Sequence, residues 1–526
     1  MNRYGEMQER NLLLKWFPTL TFIAVVALGT AIKLPFSTAR FRLYPDAIAY
    51  VNIARNVASG EGFVSTLKVN YFIESDVRHS ALLDWPPGYP LFAGALAKIG
   101  VTEIGLQAVN AFFASLAAGL VFLIALQLFN AKSAALAGIL GALSLSLFKA
   151  GLTALSDPLG LVLALGAIAT AISTGKRSGW WLVSGLLAGT AFATRFPNGV
   201  LLPTLAWFAA TRDKNLRSAV MVFIGFFTII GPLGIWKWAI LGSPISSVQI
   251  FHYTTDSFQR DAWLWHANGV LRNTGFVFPI NVAWHNTWYF AANVLRTSAG
   301  LQFLSIGLAW LLISSRRQVL PSEHKLTLSV ALLNFTVYAL TPSLPSAQGN
   351  RFMLLTFCLL LPFCAAGLVR MMDTGRTVRK TVAVAICLSA VFVWVKGYLP
   401  SVRGATELPP LDGQIIRWAK ASLQPGTVVA SNNPWLIAHF TGLPACALPH
   451  NLDKKSMQMF IEQNRVGAII VIKSSRRSRT IESAKANLEH FTSADLGCAW
   501  IGIPKANKKP TISENVHQTY ITRGKT

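Results

Sequence analysis

The sequence predicts an all-α membrane protein that crosses the bilayer many times and carries a small α/β domain at its C-terminal end. Hydrophobic residues make up 52% of the 526 residues, and charged residues only 13%. The apolar residues come in runs of about twenty, the length that a helix needs to cross a bilayer core. From about residue 404 the long runs stop and charged residues become frequent. We therefore predict a membrane domain over residues 1–403 and an α/β domain over residues 404–526.

The apolar runs predict about eleven transmembrane helices, with ends placed to within several residues. The predicted spans are 17–36, 104–129, 133–150, 157–174, 180–194, 198–211, 217–240, 297–314, 326–342, 352–370 and 381–399. The first run is of span length and no Ala-x-Ala-like cleavage site follows it, so it is expected to remain as an anchor.

The cations of the connecting loops predict the orientation of the chain. Lys and Arg collect on one side of the spans, for example at Lys176 and Arg177. By the positive-inside rule that side is cytoplasmic, which places the N-terminus in the cytoplasm and the C-terminal domain outside. The expected location is the cytoplasmic (inner or plasma) membrane, with loops 37–103 and 242–296 on the outer face. The net charge of +25 would suggest a nucleic-acid partner in a soluble chain, but in a membrane protein its meaning depends on the loops that carry the cations, and the bilayer is the expected partner.

The C-terminal domain alternates helical and β-rich patterns. Helical patterns cover 411–423, 434–441, 453–464 and 480–489, and β-rich runs begin at Val428 and Val466. The tail beyond Lys505 is polar and basic, and we expect it to be disordered. Cys446 and Cys498 both lie in this domain, and a disulfide between them is left open because sequence carries no geometry.

Asp46 is the leading candidate for a catalytic residue. It lies just past the first span, at the start of an amphipathic helical pattern, beside the apolar Ile48 and Val51. A carboxylate in such surroundings can accept a proton from a hydroxyl nucleophile. The structural alternative is that an Asp after Pro45 serves as a helix cap or first-turn acid.

Two further acids face the same side. Asp157 opens the fourth span in Ser156-Asp157-Pro158, which is also a helix-start pattern, and Asp84 precedes a Pro-Pro turn in the first loop. Aromatic residues of the two outer loops either belong to an interfacial belt or line a substrate cleft. From the first loop the candidates for substrate lining are Tyr50, Arg55, Trp85 and Tyr89.

Two arginines stand at outward helix ends, where cations are otherwise scarce. Arg195 follows the fifth span and Arg351 precedes the tenth. They are candidates for holding an anionic group, and snorkelling toward lipid headgroups is the structural alternative. The outward histidines show no metal-ligand spacing, so no metal ligands are assigned and a divalent metal is left open.

These residues occur in motifs that resemble the GT-C glycosyltransferases. The motifs are Asp46-x-x-x-Tyr50, Gly60-Glu-Gly-Phe63, Pro86-Pro-Gly-Tyr-Pro90, Ser156-Asp157-Pro158, Thr194-Arg195-Phe-Pro-Asn-Gly199 and Asn350-Arg351-Phe352. In their order and sidedness they are similar to bacterial relatives of the protein O-mannosyltransferases and of the lipid A aminoarabinose transferase. The resemblance covers roughly residues 15–400.

The resemblance implies an enzyme that transfers a sugar, with inversion, from a polyprenyl-phosphate carrier to an acceptor on the outer leaflet. It implies that Asp46 is the catalytic base and that Arg351, with Arg195, approaches the donor phosphate. Many family members carry two consecutive acids where this chain has Asp46-Ala47, and the aminoarabinose branch carries a Lys where this chain has Trp85. The sugar and the acceptor are therefore left open.

Two other classes of protein are considered as alternatives. A lipid-linked sugar flippase would show charged or broken helices at the bilayer midplane and inverted repeats, whereas the polar residues here collect at outer helix ends. A non-catalytic assembly partner would scatter Asp46, Asp157 and Arg351 over separate faces. The positions of these three side chains therefore discriminate between a site and a scaffold.

Overall fold

The computed structural model describes residues 2–68, 76–173, 179–242, 301–315, 320–339, 349–374, 376–403, 410–448, 454–472, 491–495 and 499–504. Its chain divides into two compact units. The first, called here the membrane unit, contains Met1–Gly62, Leu82–Thr254 and Phe276–Thr406. The second, called the sheet unit, contains Phe63–Ala81, Thr255–Gly275 and Glu407–Thr526.

The described part of the membrane unit is helical. Its helices are α1 (Asn2–Thr38), α2 (Pro45–Ala58), α3 (Gly88–Lys98), α4 (Glu103–Leu128), α5 (Ala131–Leu143), α6 (Leu145–Gly151), α7 (Asp157–Ser173), α8 (Gly179–Thr194), α9 (Leu201–Asp213), α10 (Leu216–Leu241), α11 (Leu301–Ser315), α12 (Ser322–Ala339), α13 (Gly349–Phe352), α14 (Leu354–Asp373) and α15 (Thr377–Arg403). A 3-10 helix over Phe196–Val200 joins α8 to α9.

Among the described residues, five helices are long and apolar enough to cross a membrane, within α1, α4, α10, α14 and α15. A sixth is obtained if α5 and α6, bent by 50° at their junction, count as one span. The chain is thus a multi-pass membrane protein. A helix occupies each of the eleven predicted positions in so far as they are described, but α8, α9 and α11 are short, and the number of crossings stays a prediction.

Small residues allow the central helices to approach one another closely. The buried face of α4 contains several small residues, including Ala114, Ala117 and Ala118. A side chain at Gly141 on α5 would meet Ala118. Such close packing replaces the hydrophobic driving force that lipid surroundings do not supply between helices.

The junction of α5 and α6 interrupts the backbone hydrogen bonds inside the membrane unit. Ser144 caps α6 by accepting a hydrogen bond from the Leu147 backbone N–H. The Lys33 ammonium donates to the Ala142 carbonyl at 3.0 Å, and the Tyr398 hydroxyl donates to the Leu143 carbonyl. Side chains from α1 and α15 therefore satisfy the carbonyls that the bend releases, as non-helical backbone away from water requires.

The sheet unit contains a six-stranded mixed sheet and a two-stranded ribbon. Its described strands are β1 (Val64–Ser65), β2 (Leu67–Lys68), β3 (His79–Ser80), β4 (Val428–Ser431), β5 (Ala445–Ala447), β6 (Val466–Ile472), β7 (Phe491–Asp495) and β8 (Ala499–Pro504). The sheet order is β2-β5-β4-β6-β8-β7, and β1 pairs with β3. The first four strands are parallel, and β8 and β7 continue the sheet antiparallel. Helices α16 (Pro410–Ser422), α17 (Pro434–Thr441) and α18 (Lys454–Gln463) complete the unit.

Strand β2 belongs to the first predicted loop, which the sequence analysis placed wholly with the membrane domain. Leu67 and Lys68 lie beside Ala445 and Cys446 of β5. Lys68 is fully buried, and its ammonium donates to Asn464 Oδ1 at 2.8 Å. A two-residue strand carries no periodicity, so only its long-range pairing reveals it.

Several predictions fall outside the described residues. They concern the aromatic loop 243–300, the helix at 480–489, the tail from residue 505 and Cys498. Cys446 is a buried free cysteine, and burial raises the pKa of its thiol to about 12. The disulfide between Cys446 and Cys498 remains an open prediction.

Candidate functional site

The start of α2 presents Asp46. Pro45 takes the first helical position, where the absence of an N–H is tolerated. Tyr44 is the N-cap residue and makes no capping bond with its side chain. Asp46 lies in the first turn, where the helix dipole favours an acid. Its carboxylate accepts a hydrogen bond from Arg351 and does not cap the helix.

Asp157 opens α7 and is almost completely buried, with 2% of its side chain exposed. Its Oδ1 accepts a hydrogen bond from Arg195 Nη1 and lies 3.7 Å from Arg351 Nε. A buried carboxylate needs such cationic partners because burial penalises its charge. Asp157 therefore begins α7, as expected, and also forms ion pairs with arginines that are distant in sequence.

Arg195 begins the 3-10 helix in an extended conformation and also donates through Nη2 to the Tyr338 hydroxyl at 3.1 Å. Tyr338 lies on α12. Through Nη1 and Nη2 the guanidinium of Arg195 therefore connects Asp157 of α7 to Tyr338 of α12. The side chain is held inside the protein and does not extend toward lipid headgroups.

Arg351 lies on the single turn α13 and reaches both acids. Its Nη2 donates to Asp46 Oδ2 at 2.5 Å, and its Nε lies 3.7 Å from Asp157 Oδ1. Its guanidinium carbon lies 5.3 Å from the centre of the Tyr44 ring and 4.9 Å from that of Phe352. Phe352 is shared, since Arg195 lies 5.4 Å from the same ring centre. Ring faces stabilise guanidinium groups, so Phe352 helps to hold two like charges near one another.

The two acids and two arginines balance in charge. Burial opposes the charge of Arg351, but the carboxylates of Asp157 and Asp46 outweigh it and raise the pKa of Arg351 well above its usual value. For Arg195, burial likewise opposes the charge, and Asp157 outweighs it, so its pKa is raised. Both arginines therefore stay charged at any physiological pH.

Three buried polar atoms of this cluster make no hydrogen bond of good geometry with the described residues. They are Arg351 Nε and Nη1 and Asp157 Oδ2. The Tyr44 hydroxyl interacts with the Arg351 guanidinium. Burial raises the pKa of Tyr44 to about 12, so its hydroxyl stays protonated. Buried polar groups are rarely left unsatisfied in proteins, and their concentration at one place is typical of a ligand site.

Aromatic residues pack against this cluster. The Tyr50 ring lies 4.9 Å from the Trp85 ring and 5.2 Å from the Tyr89 ring. The hydroxyls of Tyr50 and Ser156 are 3.0 Å apart, which fixes Tyr50 beside Asp157. Burial raises the pKa of Tyr50 and of Tyr89 above the ordinary value. The predicted lining residues Tyr50 and Tyr89 are therefore fully packed, neutral supports of the acidic residues.

The other two predicted candidates are Arg55 and Asp84. Arg55 is at the end of α2, about half exposed, and pairs with Glu103 at the start of α4. Asp84 is buried in the turn before α3. In the part of the chain that the structure describes there is no group of three or more His, Cys, Asp or Glu placed to hold a metal ion.

Sequence reasoning did not assign a role to Tyr44, Tyr338 or the Phe352 ring. Tyr44 is two residues before Asp46, and Phe352 directly follows Arg351. This closeness in sequence was the only sign that either residue belongs to the site. Tyr338 is 143 residues from Arg195, and no local pattern marks it.

Comparisons with known proteins show which proteins the chain is similar to in sequence and in fold. The sequence matches the family model described as dolichyl-phosphate-mannose-protein mannosyltransferase over residues 84–236. No curated protein matches the chain in a sequence search. Solved structures of similar fold include the following three proteins.

The oligosaccharyltransferase AglB from Archaeoglobus fulgidus, in complex with an inhibitory peptide and a dolichol-phosphate, has a TM-score of 0.62 at 11% identity. The match covers 95% of this chain and 75% of AglB. ArnT from Cupriavidus metallidurans, bound to undecaprenyl phosphate, has a TM-score of 0.56 at 14% identity over 92% of this chain and 97% of ArnT. The arabinofuranosyltransferase AftD from Mycobacteria has a TM-score of 0.53 at 13% identity over 91% of this chain and 41% of AftD.

The chain is therefore a multi-pass membrane protein with the fold of the GT-C superfamily. The chain resembles the dolichyl-phosphate-mannose-protein mannosyltransferases in sequence and ArnT in fold, which confirms the resemblance seen in the sequence motifs.

Proposed function

We propose that this protein is a membrane glycosyltransferase that transfers a sugar from a polyprenyl-phosphate carrier to an acceptor on the outer face of the cytoplasmic membrane. The observation that carries the proposal is the cluster in which Arg351 joins Asp46 to Asp157 and keeps two N–H donors unpartnered. A base beside a cation with unused donors suits a reaction in which one group loses a proton while another gains negative charge.

The comparisons support the choice of donor. AglB is described with a dolichol-phosphate and ArnT with undecaprenyl phosphate, and the matching family model is described by a dolichyl-phosphate sugar. In this chain Arg351 would hold the carrier phosphate through Nη1, which makes no described hydrogen bond, and Arg195 would add its charge. A guanidinium suits phosphate oxygens because it stays charged and presents several planar N–H donors.

Asp46 is assigned the role of catalytic base. Its carboxylate would take the proton of the acceptor hydroxyl, the acceptor oxygen would form a bond to the anomeric carbon, and the bond from that carbon to the phosphate oxygen would break. The electron pair would go to the phosphate, where the arginines stabilise it. Attack opposite the leaving phosphate would invert the anomeric configuration.

The convergence of Asp46, Asp157 and Arg351 favours a catalytic site over a scaffold. These residues come from α2, α7 and α13 and form partly buried ion pairs in which some polar atoms make no hydrogen bond. Such an arrangement is not required to hold the three helices together. An unsatisfied buried polar atom costs about 1–3 kcal/mol, which a purely structural cluster would avoid.

A complementation experiment tests the proposal. A deletion strain is expected to lose one glycosylated lipid, glycan or surface protein in mass spectra, and the wild-type gene should restore it. Asp46→Asn, which keeps the size of the side chain, should lower its formation by roughly 10²–10⁴-fold at normal expression. Glu103→Gln, in the exposed pair with Arg55, is the matched control and should restore it fully. Full restoration by Asp46→Asn would show that Asp46 is not the base.

A further inference from the structure

We propose that Gln107 and Asn110, which lie one helical turn apart on α4, are positioning residues that set the separation of Asp46 and Asp157. Both amide side chains are completely buried. Each of them bonds the chain segment that leads directly into one of the two acids. This inference rests on the proposed function, in which Asp46 is the base and Asp157 holds the arginines.

Gln107 holds the connection between α1 and α2. Its Nε2 donates to the carbonyls of Ser37 and Arg40, at 2.8 and 2.9 Å. Its Oε1 accepts a hydrogen bond from the Arg42 backbone N–H at 2.7 Å. The side chain therefore supplies partners for backbone groups of a non-helical stretch that is buried away from water.

Hydrogen bonds continue from this connection into the first turn of α2. The Arg42 carbonyl accepts from the Tyr44 N–H at 2.8 Å, and the Tyr44 carbonyl accepts from the Ile48 N–H at 2.9 Å. Asp46 lies inside the turn that the second of these bonds closes. A shift of the connection at Arg42 is therefore transmitted to the Asp46 carboxylate.

Asn110 holds the segment before α7 in the same way. Its Nδ2 donates to the carbonyls of Thr153 and Leu155, at 2.7 and 2.8 Å. The same nitrogen lies 3.2 Å from the Tyr89 hydroxyl oxygen. Asp157 follows Leu155 by two residues, so its position depends on the segment that Asn110 fixes.

The spacing of Gln107 and Asn110 makes α4 a rigid reference for both acids. Residues three apart on a helix share a face, with about 5–6 Å between their Cβ atoms. Because α4 is a continuous helix of 26 residues, neither amide can move relative to the other without breaking backbone hydrogen bonds. A displacement of about 1 Å at a reacting group can lower a rate about 100-fold. Holding the two acids at one separation therefore matters for transfer.

Polar side chains can also join helices for stability alone. Ser184 does so, because its Oγ donates to the Ala167 carbonyl at 2.9 Å and links α8 to α7. This bond joins two regular helices and does not touch the segments that lead into the acids. Ser184→Ala is therefore the matched control, since it removes one fully buried bond between helices.

Hydrogen exchange of the full-length protein in lipid nanodiscs tests whether the amides hold these segments. Gln107→Met keeps the length of the side chain and loses its hydrogen bonds, and Asn110→Leu keeps its branched shape. Exchange should rise over residues 37–48 in Gln107→Met and over residues 152–160 in Asn110→Leu. Neither segment should change in Ser184→Ala.

Transfer by the same proteins tests whether the hold matters for the reaction. Mannosyl, glucosyl and galactosyl polyprenyl phosphates are the donors, and membranes of the deletion strain supply the acceptor. Gln107→Met and Asn110→Leu should lower the rate at saturating donor about 10–100-fold. Their affinities for sugar-free polyprenyl phosphate should stay within about threefold of wild type, and Ser184→Ala should change neither quantity.

Two further variants separate positioning from a general loss of stability. Gln107→Asn keeps the amide but withdraws it by one methylene, so it tests the same contact if Gln107→Met does not fold, and it should also slow transfer. Because Gln107 acts through Asp46, Gln107→Met should lower the remaining transfer by less than about twofold in an Asp46→Asn background.

The outcomes distinguish this inference from the proposed function. Transfer at the wild-type rate in Gln107→Met and Asn110→Leu, or unchanged exchange in both segments, would overturn the positioning role while the proposed function stands. An equal loss of transfer in Ser184→Ala would show that stability alone is responsible. If the wild-type protein transfers none of the three sugars, the proposed function itself is contradicted, and this inference falls with it.

Discussion

Arg351 and Asp46 are 305 residues apart in the chain, yet their side chains form an ion pair with 2.5 Å between Nη2 and Oδ2. The same guanidinium approaches Asp157, so a single arginine connects the turn before α14 to the starts of α2 and α7. This pairing puts the proposed base in direct contact with the residue proposed to bind the donor phosphate. Several predictions about these and other contacts can be tested separately.

Arg351→Lys should weaken the binding of sugar-free polyprenyl phosphate by roughly 10–100-fold, since a lysine keeps one charge but loses the fork. Lysine presents its three donors from a single nitrogen, so it cannot reproduce the planar spread of the guanidinium nitrogens toward Asp46, Asp157 and a phosphate. Isothermal titration or a fluorescence assay in nanodiscs measures the affinity. Arg55→Lys is the matched control at an exposed pair, and equal affinities of wild type and Arg351→Lys would show that the phosphate lies elsewhere.

Tyr338→Phe should impair the site through Arg195. The change leaves Arg195 Nη2 without its partner at a part-buried position, which costs about 1–3 kcal/mol if no water replaces the hydroxyl. We expect lower kcat with a smaller change in KM, because Arg195 no longer holds Asp157 in place. The effect should shrink in an Asp157→Asn background, as coupled residues show in double-mutant cycles. Additive effects of the two substitutions would indicate that Tyr338 does not act through this contact.

Tyr398→Phe should destabilise the bend between α5 and α6. The hydroxyl donates to the Leu143 carbonyl, and the ring stacks on Phe148 at 4.2 Å. Phenylalanine keeps the stack but leaves a carbonyl unsatisfied away from water, with an expected loss of about 1–3 kcal/mol. Thermal unfolding in detergent measures this loss. Thr228→Val, which removes a hydroxyl on the exposed side of α10, is the control and should change the midpoint little; equal midpoints for all three proteins would contradict the role of Tyr398.

Cys446 should resist alkylation at about pH 8 in the folded protein, because the reactive thiolate is suppressed by burial and its pKa is raised to about 12. Its contribution to stability should be full below the pKa of an unfolded thiol and should fall as pH rises toward about 12, since only the unfolded state then ionises. Mass spectrometry of peptides after labelling, before and after denaturation, gives the occupancy of each cysteine.

The labelling experiment also decides the open question of Cys498. If Cys446 is labelled after denaturation without a reductant, no disulfide joins the two cysteines. Rapid labelling of Cys446 in the folded protein would contradict the burial described here.

Some parts of this protein could be predicted from the sequence because their causes are local. Apolar runs of span length located the helices, and the amphipathic pattern after Asp46 predicted a helix over residues 47–58, which the structure begins at Pro45. The cations at outer helix ends stood out because such positions are unusual for them. The order of these motifs was enough to indicate the GT-C resemblance.

Only the tertiary structure decided which of these residues work together. It paired Arg351 with Asp46 and Arg195 with Asp157, left Arg55 with Glu103, and brought Tyr338 from α12 to Arg195. It also inserted β2 from the first loop beside β5. Hydrophobic patterning determines whether a segment is a helix and which face it buries, but the meeting of two side chains hundreds of residues apart depends on how the helices pack, and no local pattern encodes that.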